Sequence, residues 1–117
     1  VQAVVSGHAY ANLAGNTVVR YAAKRNPNFV ADWTLADTRA HWATPFRKDS
    51  AALRGQVEDV LKCMKKDGTI PALSEKWFGA KPGPDDLENV IQAGHGIPGQ
   101  PGYDPSAADP DCSKYKG

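Results

Sequence analysis

No apolar run in this 117-residue chain approaches the about 20 residues that a helix needs to cross a bilayer, so no helical membrane span is written into it. Charge of one sign is also lacking. Fourteen Lys and Arg stand against thirteen Asp and Glu, for a net charge of +1, which argues against a surface built to neutralise nucleic-acid phosphates. The three histidines, His8, His41 and His95, show no metal-ligand spacing with one another or with the cysteines, so no metal site is expected. The tail glycines around His95 follow no strand and fit no phosphate-binding fingerprint. No nucleophile stands beside a recognisable base and orienting group, no cofactor is implied, and the chain is not read as an enzyme. Cysteine is scarce. Cys63 and Cys112 allow one disulfide, as in an oxidising compartment, or two free thiols. No signal peptide is legible, Met64 is the only methionine, and the chain opens on Val1; we read it as a piece of something longer.

What is present centres on residues 47–79, RKDSAALRGQVEDVLKCMKKDGTIPALSEKWFG. Asp49 or Ser50 can cap a helix start. Leu53, Val57, Val60, Leu61 and Met64 then fall on one stripe at about 100° per residue. Lys62, Lys65 and Lys66 sit in the last turn, where the helix dipole favours positive charge and where solvated side chains are expected. Gly68 suits the left-handed conformation that ends helices. Thr69 can cap a second helix that buries Leu73, Trp77 and Phe78 and stops at Gly79.

Upstream, VQAVV at 1–5 reads as a short buried strand that needs a neighbour to satisfy its backbone. Ser6, Gly7 and His8 would form the strand-to-helix turn. A helical piece is expected at 9–14, a second helix capped by Asn16 at 17–25, and a strand at 29–34. Residues 35–40 read as a polar connection and 41–46 as an extended crossing segment. Downstream of residue 80 the chain becomes rich in Gly and Pro. One short helix is expected at 85–93, but the remainder cannot bury enough to build a core. Ile97, Tyr103 and a Cys63–Cys112 bond can lay this tail across the body.

The R-K-D strand end, the Leu-Arg-x-x-Val helix, Lys-x-Asp-Gly-Thr and Lys-Trp-Phe-Gly closely resemble the C-terminus of family 3 extracellular solute-binding proteins. The residues are Arg47, Lys48, Asp49, Leu53, Arg54, Val57, Leu61, Lys65, Asp67, Gly68, Thr69, Lys76, Trp77, Phe78 and Gly79. The resemblance implies an α/β, periplasmic-binding-protein-like fold of type II, of which this is the C-terminal part. Residues 1–40 would belong to the second lobe, 41–79 would cross the hinge and pack helices on the first lobe, and 80–117 would be an extension. It implies a periplasmic receptor that carries an amino-acid-like or other small polar solute to an ABC permease, completed by a missing N-terminal half or a second copy of the chain. The family places ligand contacts at the turn held here by Ser6, Gly7 and His8, with His41 and Trp42 near the crossing. Where amino-acid binders have an Asp that receives the ligand ammonium, this chain has Gly7. Two other readings are a non-transport interaction protein on the same scaffold and a cyclohexadienyl-dehydratase-like enzyme.

Overall fold

The computed structural model describes residues 1–31, 33–35 and 43–115. Among the described residues four helices appear in chain order: α1 (Gln2–Val5), α2 (Asn16–Arg25), α3 (Ala51–Lys66) and α4 (Thr69–Phe78), followed by a 3-10 turn at Cys112–Tyr115. The α3–α4 unit follows the expected pattern closely. Gly68 takes φ +83° and Gly79 φ +80°, the left-handed region that costs a Cβ-bearing residue. Gly68, not Thr69, is the N-cap of α4, and the Asp67 carboxylate accepts the Thr69 amide at 2.9 Å. Ser50 is the N-cap of α3 without a side-chain bond to the first turn. A Cβ at Gly68 would meet open space, so Gly68→Ala carries backbone strain alone. It should lower stability by about 1 kcal/mol, read from a shifted denaturant midpoint at constant slope.

Among the described residues the expected strands do not form. Residues 1–5 close a helical turn instead, with Val5 N–H donating to Val1 O at 3.1 Å and Ser6 N–H to Gln2 O at 3.0 Å. The physical reason is the partner requirement. Among the described residues no strand offers an edge to 1–5 or to 29–34, and a helical turn is the only way for 1–5 to pair its backbone locally. Residues 9–14 are irregular, and Gly15 replaces Asn16 as the N-cap of α2. Residues 85–93 form turns in place of the expected helix. Here side chains compete for the backbone: the Asn89 amide donates to Pro82 O and Gly83 O, and Asp86 accepts the Gly83 N–H at 2.7 Å.

Burial is sparse. Cys63 is the one buried apolar side chain among the described residues. The radius of gyration is 17.4 Å, against about 13 Å for a compact domain of 100 residues. Trp77, expected in a core, is 50% exposed with the Lys76 ammonium 5.6 Å from its ring centre, and Trp33 is 76% exposed. On α3, Leu53 and Leu61 are exposed while Val57, Val60 and Met64 are half-buried. The apolar stripe is thus formed as expected but only partly covered. Helix α2 meets α4 where the Lys24 ammonium donates to Lys76 O and its stem lies on Gly79.

Candidate functional site

The first candidate region is the turn after α1. Gly7 takes φ +75°, which lets the His8 amide return to Ala3 O at 2.8 Å. Ser6 Oγ lies 2.8 Å from His8 Nδ1 and 3.3 Å from Ala3 O. All three residues are exposed. The Ser–His contact was not foreseen from the sequence, since a two-residue spacing on an irregular turn carries no signal of its own. Among the described residues no carboxylate is hydrogen-bonded to His8, so the pair lacks the orienting group that nucleophilic catalysis uses. It remains a compact set of polar groups for hydrogen bonding.

Beside this turn opens a cleft of about 360 Å³, lined chiefly by Val4, Tyr10, Leu13, Val19, Phe29 and Trp33, with the amides of Asn12 and Asn28. Ser6, Gly7 and His8 precede its Tyr10–Ala14 wall in the chain and do not line it. His41 and Trp42 lie outside the described residues. Among the described residues no cluster of His, Cys, Asp and Glu can hold a metal ion.

The second region is the tail, which the sequence left without a structure of its own. Its residues 88–104 lie along α3 on the face opposite the apolar stripe, and Cys112 and Tyr115 come beside Val60 and Met64 at the end of the stripe. His95 Nε2–H donates to Asp59 Oδ1 at 2.8 Å, and the Gly96 amide donates to Glu58 Oε1 at 3.0 Å. Lys62 donates to Gly94 O at 2.5 Å and Lys65 to Val90 O at 2.9 Å. On α4, Ser74 Oγ donates to Glu88 Oε1 at 3.2 Å. Lys62, expected as a solvated partner of the helix dipole, is therefore only 4% exposed. A tail of Gly and Pro offers many free carbonyls, and the lysines in the last turns of α3 satisfy two of them. Cys63 and Cys112 are joined, and the sequence position of Cys63 beside the stripe rather than within it explains how the tail reaches it. Lys62→Met keeps the buried stem but removes the donor to Gly94 O. The expected cost is about 2 kcal/mol by denaturant titration, because the buried carbonyl loses a charged partner.

Three pKa values move in this region. Burial pushes the Lys65 ammonium below 10.5, with Glu58 and Glu88 opposing the shift. Asp104 is held below 3.8, first by the Ser106 hydroxyl and then by its amide, and Asp111 in the same way by Ser113. These depressed carboxylates stabilise their turns fully above pH 3.8 and lose that contribution as pH falls through the lower, folded-state values. The Ser106 and Ser113 amide resonances should therefore titrate with midpoints below 3.8 in an NMR acid titration.

Residues 2–80 match the family model of the bacterial extracellular solute-binding proteins, family 3, and the match ends where the Gly- and Pro-rich tail begins. The chain is 47% identical over 45 residues to the L-cystine-binding protein TcyJ of Escherichia coli (strain K12), covering 38% of this chain and 17% of that protein. It is 53% identical over 34 residues to the L-cystine-binding protein TcyA of Bacillus subtilis (strain 168), covering 29% and 13%. It is 31% identical over 80 residues to the amino-acid-binding protein AabA of Dichelobacter nodosus, covering 67% and 32%. The chain thus spans at most about a third of the length of these relatives, all of which are binding proteins by name. No solved structure matches it. Among the described residues no helix is long and apolar enough to cross a membrane. By the match over 2–80, the chain belongs to the bacterial extracellular solute-binding proteins of family 3.

Proposed function

We propose that this chain is the C-terminal part of a periplasmic receptor that captures an amino-acid-like or other small polar solute and delivers it to an ABC permease. The observation that carries the reading is the family match over 2–80, together with relatives named for binding L-cystine and amino acids. A disulfide is in keeping with an oxidising compartment such as the periplasm. In this reading the fold is of type II. Residues 1–40 belong to the second lobe, 41–46 cross the hinge, and α3 and α4 pack on the first lobe. Leu53, Leu61, Leu73 and Trp77, exposed here, are the side chains that such a packing would cover. Ser6 and His8 would hydrogen-bond the solute, with His41 and Trp42 beside the crossing. Gly7 brings no charge to a ligand ammonium, so an acidic group elsewhere in the assembled receptor would have to supply it.

The chain holds only one side of such a cleft. Calorimetric titration of L-cystine and the common amino acids into the 117-residue chain should detect nothing tighter than about 1 mM. Adding the first-lobe polypeptide should restore binding. A tight complex with the chain alone would overturn the division of the site between two lobes. In the assembled receptor, Ser6→Ala and His8→Ala should each weaken binding about tenfold, the loss of one hydrogen bond of about 1.4 kcal/mol. Unchanged affinity in both would remove this turn from the site.

One observation favours a second reading, an interaction protein on the same scaffold. The tail lies beyond the family match and is nevertheless docked on α3 by side chains of both partners. A pull-down that requires the tail and no solute would support it over transport.

A further inference from the structure

The tail is fastened to α3 in two different ways along its length. Residues 88–104 are held by hydrogen bonds spread over α3 and α4. Val90 and Gly94 offer carbonyls to Lys65 and Lys62, His95 and Gly96 donate to Asp59 and Glu58, and Glu88 accepts from Ser74. The segment is also closed on itself, His95 and Asp104 exchanging both backbone bonds at 2.9 Å. Among the described residues, 106–115 make no comparable set of hydrogen bonds to α3 and α4. Their bonds from Ser106 and Ser113 to Asp104 and Asp111 are local and do not reach the helix. Asp109 approaches the buried Lys62 ammonium at 3.7 Å and Lys66 at 3.9 Å, both beyond hydrogen-bond distance, and its own carboxylate is largely exposed. The strong tie of this segment to α3 is the bond from Cys112 to Cys63.

We infer that the Cys63–Cys112 disulfide is a redox latch on the last ten described residues alone: a dithiol reductant frees 106–115 as a mobile arm and bares Cys63, while 88–104 stays docked. The bridge is reachable from one side, since Cys112 is half-buried and Cys63 is 5% exposed. One thiolate of the dithiol attacks Cys112 Sγ, breaking the S–S bond and releasing the Cys63 thiolate, which takes up a proton. The second thiol of the reagent then attacks the mixed disulfide and expels Cys112. The reagent leaves as its own disulfide, two electrons pass to the protein, and two S–H groups result. With the bridge open, no hydrogen bond among the described residues joins the 3-10 turn at Cys112–Tyr115 to α3, and what keeps it over Cys63 is the side-chain neighbourhood of Tyr115 with Val60 and Met64.

The test is to treat the 117-residue chain with dithiothreitol, alkylate with iodoacetamide, and follow each cysteine by peptide mass spectrometry alongside amide hydrogen exchange. The freed arm should let Cys63 alkylate within about threefold of the rate of Cys112, although Cys63 starts as the buried partner. The amides of His95, Gly96 and Asp104 should keep their protection, and far-UV circular dichroism should keep its helical signal. Alkylation of Cys63 about tenfold or more slower than Cys112 would mean that the arm stays seated without the bond, overturning the latch. Loss of protection at 95–104, or of helix, would overturn the separation of the two segments. Cys112→Ser provides the same comparison without reductant. Its Cys63 should alkylate at the rate found in the reduced wild-type chain, and a protected Cys63 in this variant would overturn the inference equally.

Discussion

Gly94→Ala should detach the tail from α3 and lower stability by about 2–4 kcal/mol, the largest effect expected of a single methyl group in this chain. Gly94 is buried with φ +71°, and an added Cβ would stand 2.3 Å from Asp104 O and 2.9 Å from Pro105 Cα. Both are backbone atoms, so neither can rotate away. The same two strands of tail carry the paired bonds between His95 and Asp104, and Gly94 O is the acceptor of the buried Lys62 ammonium. Relieving the clash therefore breaks several interactions at once. Equilibrium urea denaturation reads the loss, and amide exchange should show it as lost protection at His95 and Asp104. Wild-type stability in Gly94→Ala would mean that the tail is not docked in this register.

Cys63→Ser with Cys112→Ser should cost about 2–3 kcal/mol. The bridged residues are 49 apart in sequence. Closing a loop of that length removes about 4 kcal/mol of unfolded-chain entropy in the chain-entropy description. The observed loss should be smaller, because the freed arm regains disorder in the folded state as well as in the unfolded one. The denaturant midpoint of the double variant should fall with helix content before the transition unchanged. A loss of the full loop term would indicate that the arm stays ordered without its bond.

Particular elements show what was legible. The α3–α4 unit was, because its stripe, its glycine stops and its lysine-rich end are local signals that act within one turn of the residues carrying them. The start of the tail was legible as a composition change, and the family match ends at the same place. Residues 1–5 were not, since β-branched composition states a preference for strand but only a neighbouring edge can satisfy one. Trp77 was misplaced for a related reason. Its position on the apolar side of α4 is correct, but helical phase tells which way a side chain points and not whether anything lies there.

The candidate site divides in the same way. Ser6, Gly7 and His8 were identified through a family pattern in the chain itself. Their hydrogen bond at 2.8 Å came only from the conformation of Gly7. His95 reads in sequence as a solvated residue between two glycines, yet it meets Asp59 across 36 positions. Lys62 reads as one of three dipole partners, yet it is the most buried side chain on its helix. By itself the sequence determined α2, α3 and α4, the glycine stop of α4, the stripe on α3 and the family, the helices and stripe resting on interactions between residues a few positions apart. Only the tertiary structure decided which face of α3 is covered. Residues 88–104 cover the polar one, because a segment with almost no aliphatic side chains contributes carbonyls and amides rather than apolar area, and it settles where lysines and carboxylates can satisfy them.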